Sequence, residues 1–594
     1  MQEDAQQLLK KYFGYDAFRP GQQQIIEQLL SGHDTLGIMP TGGGKSLCYQ
    51  IPALLSYGIT LVVSPLISLM KDQVDALMTA GIPATYINST LSFEESRQRL
   101  SAARRGQFKL VYVAPERLEL PGFMHALEQM AVDLVAVDEA HCISQWGHDF
   151  RPSYRQIATM LDQFPGRPTV VALTATATPH VTADICRLLG IRADQVVTTG
   201  FARDNLFFQV INGQDRSRFL RDYLKANRNQ PGIIYVATRK EVDRLTASLR
   251  KAGFAAGQYH AGMTEEERAA NQERFRYDDL SVLVATNAFG MGINKSNVRY
   301  VIHYNMPRTI EAYYQEAGRA GRDGERSDCI LLFSPQDIQL QKFFIDQSEM
   351  DETLKKAEYH KLEQMVSYCH TETCLQNYIL RYFGDNSAAP CGHCGNCLDT
   401  RGQTDISEAA QKIFSCVRRL RERYGKGMVA KVLAGAKDQK LLSYKLDRLS
   451  TYGIMSYLAQ HEIAEMIDFL TAEGYLAQEG GAYPVLRLTT EAVPVLRGEA
   501  HIFKKGKVRA AQLEVHNELF DRLKDIRKQL AQKEYVPPYI IFSDQSLREM
   551  SAQLPQTDRD FLMIKGVGQQ KLDKYGAIFM QAIAAYEAQG QTVE

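Results

Sequence analysis

Residues 39 to 46 read MPTGGGKS, between an apolar run at 34 to 39 and LCYQIPALL, which reads as a helix. Glycines, a lysine and a serine at that spacing, after a strand and before a helix, suit the holding of a nucleoside triphosphate. Gly42, Gly43 and Gly44, with Thr41 before them, let the backbone curl so that its N–H groups point inward, where the helix dipole also favours an anion. Lys45 can reach the β- and γ-phosphates and Ser46 can ligate Mg²⁺. The usual pattern has glycine or alanine five places before Gly44; this chain has Met39. The alternative, a glycine-rich turn with a solvated lysine, fits the strand-then-helix context poorly.

A second group completes a hydrolytic set. The run DLVAVD at 133 to 138 leads into Asp138-Glu139-Ala140-His141. Asp138 can hold Mg²⁺ directly or through water, and Glu139 can polarise the attacking water. Taken alone, two acids ending a strand would be a solvated turn. Next comes CISQWGHDFRP, carrying Trp146, the only tryptophan, with Phe150 and Arg151. An aromatic loop leaving the acid pair can stack on a base while sensing the nucleotide, although a lone tryptophan more commonly packs inside. Upstream, Gln22 near a helix start can pair with the N6/N7 edge of adenine, and Tyr15, Phe18 and Arg19 can stack on the ring. The competing reading is a polar cap beside core aromatics. In YYQEAGRAGRDG at 313 to 324, Gln315, Arg319 and Arg322 are four and three residues apart, so on a helix they share one face. A guanidinium presented from a second domain can stabilise charge on a transferring phosphoryl group, an effect of ~10³ to 10⁵ in rate. The plainer alternative is an arginine pair salt-bridged on a solvated helix. TATAT at 174 to 178 supplies hydroxyls that could link two motor halves.

Cys374, Cys391, Cys394 and Cys397 read C-x16-C-x2-C-x2-C after a helical stretch at 351 to 370. Four thiolates close a tetrahedral Zn²⁺ shell with no open position, so the expected site is structural. Cys369, His370 and His393 are near enough to be rival ligands.

Elements able to position these groups alternate along the chain. Short β-rich runs at 60 to 64, 109 to 114, 133 to 138 and 169 to 174 lie between helical stretches, and the pattern restarts at 232 to 237, 255 to 262, 281 to 286, 298 to 305 and 329 to 333. That alternation predicts two parallel sheets, each covered on both faces. From about 405 short amphipathic helices precede YLAQEGGAYPVLRLT at 475 to 489, which reads as a hairpin. Helices followed by a hairpin suggest a winged helix, and HEIAEMIDFLTAEG should bury Ile463, Met466, Ile467 and Leu470. Arg418, Arg419, Arg421 and Arg423 precede it, as a solvated face or as phosphate contacts. A linker is expected at 498 to 511, then a helical unit whose GVG turn at 566 to 568 accepts a phosphate or simply joins two helices.

Lysine and arginine (69) offset aspartate and glutamate (69), so any grip on a polyanion must come from local basic surface. The N-terminus lacks a signal-peptide layout, no apolar run approaches ~20 residues, and the expected location is the cytoplasm.

Gln22, PTGGGKS, SPLISLMKDQV at 64 to 74, DEAH, QWGHDFRP, TATAT and QEAGRAGRDG stand in the order found in RecQ-type DNA helicases, which the chain resembles over most of its length. PTGGGKS itself is the spelling used by second-superfamily helicases. The resemblance implies an α/β chain of two RecA-like motor domains (1–205 and 206–337), a zinc-binding module (338–404), a winged-helix domain (405–505) and a small helical domain (512–594) similar to the helicase-and-RNase-D C-terminal domain. It implies ATP-driven DNA unwinding with 3′–5′ polarity, in recombination and repair. Expected cofactors are ATP, Mg²⁺ and Zn²⁺. Expected partners are single-stranded and duplex DNA, with single-strand-binding protein and other repair proteins, around a monomer. The alternatives are an RNA helicase or a nucleotide-gated DNA-binding module.

Overall fold

The computed structural model describes residues 2–590 other than 148, 214, 291–294, 387–388, 482–483, 507–517, 563 and 565. Part of the 286–295 run, part of the hairpin turn and the end of the expected linker therefore lie outside the described residues.

Two parallel sheets form the motor. The first holds β1 (Thr35–Ile38), β2 (Ile59–Val63), β3 (Ala84–Ile87), β4 (Leu110–Val113), β5 (Val132–Val137), β6 (Thr169–Thr174) and β7 (Val196–Thr198), in the order β3-β4-β2-β5-β6-β1-β7. The second holds β8 (Leu206–Asn212), β9 (Gly232–Tyr235), β10 (Ala256–Tyr259), β11 (Val282–Ala285), β12 (Tyr300–His303) and β13 (Ser327–Phe333), in the order β10-β11-β9-β12-β13-β8. β1, β2, β4, β9, β11 and β12 are buried along their whole length, as strands with helices on both faces must be, and their β-branched content suits a pleated surface. β3, β7 and β8, not singled out in the sequence, take sheet edges. The phosphate loop leaves β1 and the acid pair leaves β5, with β6 between them, so all three C-terminal ends open on one crevice.

One apolar cluster runs unbroken from the first lobe through the second into the cysteine module, including Val137, Phe201, Tyr313 and Phe383. Phe201 of the inter-lobe segment stacks on Phe383 with centroids 4.6 Å apart.

The helix expected at 351 to 370 is Glu352–His370. The helix Gln460–Ala472 packs against it, and Asp468 bonds Lys426 Nζ at 2.7 Å. Ile463, Ile467 and Leu470 are buried as expected, whereas Met466 is only partly buried because Phe469 takes the inner position. Leu476–Glu479 and Val485–Leu488 pair antiparallel as the predicted hairpin. The linker expectation is corrected. Phe503–Lys505 is a strand paired with Gln403–Asp405, and Lys505 N donates to Glu372 Oε2 at 2.9 Å.

The C-terminal helical unit is seated on the second lobe. Arg548 pairs with Glu325 at 2.6 Å, Lys528 Nζ donates to Asp278 O at 2.8 Å, and buried Asp544 lies between Arg527 of its own unit and Arg299 of the lobe. Gly568 starts a helical run through Gly590.

Candidate functional site: a nucleotide cleft between two lobes

The phosphate loop is held from outside by side chains. Carbonyl oxygens of Thr41, Gly42, Gly43 and Gly44 accept hydrogen bonds from Arg203 Nη1, Arg19 Nη1, Gln22 Nε2 (3.2 Å) and Gln22 Nε2 (2.9 Å) respectively. A trans peptide points its N–H opposite its C=O, so the N–H groups that follow turn away from those side chains. Gly42 and Gly44 sit at φ +84° and +76°, and a Cβ on Gly44 would meet Gln22 Nε2 at 2.4 Å. Only glycine meets both demands. The loop thus fits a polyphosphate.

Gln22 is buried, and its Oε1 also accepts from Arg19 N at 2.8 Å. Its amide is engaged with the loop in this structure. Tyr15 is exposed and Phe18 half-buried beside it.

Burial pushes the Lys45 ammonium down, while Glu139 and Asp138 pull it back up. Burial, then Glu139, holds the Asp138 carboxyl well above the usual carboxylate range. A divalent cation would relieve that strain, so Asp138 with Ser46 at the start of Leu47–Leu55 fits Mg²⁺. Glu139 takes a left-handed backbone (φ +48°), with Oε2 3.4 Å from His141 Nδ1. His141 Nδ1 pairs with Thr174 Oγ1 at 2.9 Å, so the first threonine of TATAT ties β6 to the acid pair within one lobe rather than linking two lobes.

The second lobe closes this cleft. Arg322 Cγ lies 3.5 Å from where a Gly42 side chain would begin, and Thr41 Oγ1 lies 3.3 Å from the equivalent point on Gly318. Gln315 is in the helix Ile310–Ala317, but the helix stops there. Gly318 and Gly321, the latter at φ +56°, turn the chain, so Arg319 and Arg322 do not share a helix face with Gln315. Arg319 turns with Gln315 toward a cavity of about 410 Å³ lined also by Asn305 and Arg308 of the second lobe and Asp149 of the first. Arg322 faces the phosphate loop.

The aromatic loop is engaged. Trp146 is half-buried edge-on to His180 at 5.3 Å, and its carbonyl accepts from Lys361 Nζ at 2.9 Å. Arg151 Nη1 donates to Pro65 O at 2.9 Å and its Nε to Asp149 Oδ2 at 3.3 Å, while Phe150 lies under the Arg155 guanidinium. Arg151 braces the loop through these bonds.

The sulfurs of Cys374, Cys391, Cys394 and Cys397 lie within 4.8 Å of one another. Zn–S bonds of about 2.3 Å in a tetrahedron put sulfurs about 3.8 Å apart, inside that limit. Asn377 N and Cys391 N donate to Cys374 Sγ, and Cys374 Sγ and Cys394 Sγ lie 4.0 Å apart. The rival ligands fall elsewhere: His393 Nδ1 pairs with Cys391 O, His370 lies by Asp468, and Cys369 is buried apart from the cluster.

Comparison with known proteins agrees with this geometry. Residues 19–185 match the DEAD/DEAH box helicase family, 215–324 the helicase conserved C-terminal domain, 335–398 the RecQ zinc-binding family, 400–511 the RQC domain and 516–583 the HRDC domain. The ATP-dependent DNA helicase RecQ of Bacillus subtilis is 51% identical, covering 98% of each chain. The chain belongs to the RecQ family of ATP-dependent DNA helicases. RecQ proteins of Pasteurella multocida and Haemophilus influenzae are each 40% identical, covering 99% and 98% of this chain and 94% and 96% of their own. Among the described residues no helix is long and apolar enough to cross a membrane.

Within this RecQ chain, sequence reasoning missed Arg203, Asn205 and Tyr154. Tyr154 OH donates to Asp138 O at 2.9 Å, fixing the end of β5. Its only sequence signal was nearness to the aromatic loop. Because the RecQ zinc module carries Phe383 against the inter-lobe segment, Cys394→Ser should release zinc and expose residues 374–398. Elemental analysis should read near zero zinc, and limited proteolysis should cut that segment while the two sheets resist.

Proposed function

We propose that the chain is a 3′–5′ DNA helicase whose two lobes close on ATP, hydrolyse it and reopen, stepping along single-stranded DNA. The observation that carries this reading is Arg322 of one lobe packed against Gly42 in the phosphate loop of the other, its charge felt by Lys45 and opposed by Glu139. In this reading Lys45 and the loop N–H groups hold the β- and γ-phosphates, and Glu139 orients the attacking water and takes its proton. Arg322, aided by Arg319 from the cavity side, offsets charge developing on the γ-phosphoryl oxygens. Mg²⁺, when bound by Ser46 and Asp138, would neutralise phosphate charge. Gln22 and Arg19 keep the loop shaped, and Tyr15 and Phe18 flank the base.

The DNA-facing proposals are Trp146 and Phe150, with Arg151 bracing them and the exposed Arg418, Arg419 and Arg421 of the winged helix meeting duplex phosphates. Recombination and repair, single-strand-binding protein as a partner, a monomeric state and a cytoplasmic location belong to the same proposal and rest on family resemblance.

The test is strand displacement on tailed duplexes of both polarities, in DNA and in RNA, with ATP and with a non-hydrolysable analogue. Unwinding only of the 3′-tailed DNA, only with ATP, is expected. Displacement of the RNA duplex alone would make the chain an RNA helicase. Nucleotide-dependent DNA binding without multiple-turnover phosphate release would make it a gated binding module.

A further inference from the structure

Arg203 lies in the segment between the lobes, three residues before β8. Its Nη1 donates to Thr41 O in the phosphate loop, while its Nη2 donates to Ala320 O at 3.2 Å and Gly321 O at 3.0 Å in the arginine loop. Its Nε bonds Asn205 Oδ1 at 3.3 Å, and Asn205 Nδ2 holds Gly321 O at 2.8 Å and Glu325 O at 2.9 Å. The segment itself is fixed. Phe201 stacks on Phe383, Tyr314 OH donates to Phe201 O at 2.7 Å, and Ser327 N donates to Asn205 O at 2.9 Å.

Among the described residues no carboxylate forms an ion pair with Arg203. Arg203 is half-buried, and even partial burial of a guanidinium without an acid carries a cost that neutral carbonyls repay only in part. A tether between lobes needs no charge, since an apolar contact or an amide would serve at lower cost. A planar cation with five donors in a rigid fork does something an amide cannot: it holds two loops at one fixed separation and leaves positive charge beside the phosphates.

We propose that Arg203 is a positioning residue for ATP hydrolysis, spanning the cleft to set the distance between the phosphate loop and Arg322. The proposal rests on the reading of that cleft as the ATPase site. Thr41 O and Gly321 O belong to the two loops that must approach each other when the γ-phosphate is held. Arg203 bonds both through backbone carbonyls, its Nη1 3.7 Å from where a Gly42 side chain would begin and beside Arg322 Cγ at 3.5 Å. In this proposal it acts through Arg322 rather than on a substrate atom. A lysine presents one point charge and cannot reach both loops together.

The test uses the full-length protein with Arg203→Ala and Arg203→Lys, measuring single-stranded-DNA-stimulated turnover, affinity for ADP, affinity for ADP with aluminium fluoride as a transition-state mimic, and the melting temperature. Expected is a fall in kcat of about 30-fold for alanine and about 10-fold for lysine, with KM for ATP and ADP affinity within about 3-fold of wild type. Affinity for the transition-state mimic should fall by the same factor as kcat. A loss of ADP affinity and melting temperature in step with kcat would make the role merely structural and overturn the proposal. So would full turnover in the lysine variant. Absence of DNA-stimulated turnover in the wild-type protein would instead overturn the ATPase reading beneath it.

Discussion

Lys45→Ala should cut DNA-stimulated ATP hydrolysis by about 10³-fold or more while leaving affinity for single-stranded DNA within about 3-fold. Lys45 is half-buried at the loop, its charge disfavoured by that burial and sustained by Glu139 and Asp138. Among the described residues the ammonium has one hydrogen-bond partner, the Met39 carbonyl at 3.4 Å. A site that half-buries a cation with so little direct pairing is prepared for an anion. Alanine removes that cation and also leaves Asp138 and Glu139 facing each other without it, so nucleotide binding should weaken together with turnover. DNA affinity should survive because Trp146 and Phe150 are held by partners other than Lys45, and the winged-helix arginines lie in another domain. Phosphate release and fluorescence anisotropy on one preparation, with its zinc content as a check of folding, measure both. Retained DNA-stimulated turnover would refute the assignment of the loop.

Arg322→Ala should cost about 10³-fold in kcat with ATP binding largely kept, and Arg319→Ala should cost less. The two arginines are chemically alike, and only their placement separates them. Arg322 approaches Gly42, whereas Arg319 lines the cavity that Asp149 and second-lobe residues enclose and bears on Tyr235. Burial, then Arg319 and Arg203, lowers the Arg322 guanidinium to about 10, with Glu139 opposing. It stays charged at neutral pH, crowded by cations, and a γ-phosphate is the anion that would relieve it. Single-turnover hydrolysis separates chemistry from product release. An Arg319 variant as slow as the Arg322 variant would mean that both guanidiniums reach the phosphate, and that the cavity-facing placement is not the working one.

Much of this was legible from local spacing. The phosphate loop, the acid pair and the four cysteines each lie within a short stretch of chain or on a single strand end, so residue type and interval nearly dictate what they can do. The central strands were legible because burial on both faces demands continuous apolar runs. The edge strands β3 and β8 were not, since an edge relaxes that demand and leaves mixed sequences such as LFFQVIN.

The rest depended on contacts between distant residues. Spacings of four and three put Gln315, Arg319 and Arg322 on one helical face only if the helix continues, and Gly318 and Gly321 ended it at Ala317. Gln22, Arg151 and Trp146 have side chains suited to nucleotide or DNA, yet the fold pairs each with the protein. Arg203 had no signature at all, because its partners are backbone carbonyls, which every residue carries. The sequence by itself determined which chemistry the chain holds, because catalytic groups must be particular side chains at particular intervals. Which arginine meets the phosphate loop, and what holds the lobes at working distance, was decided only when folding brought residues 41, 203 and 322 together.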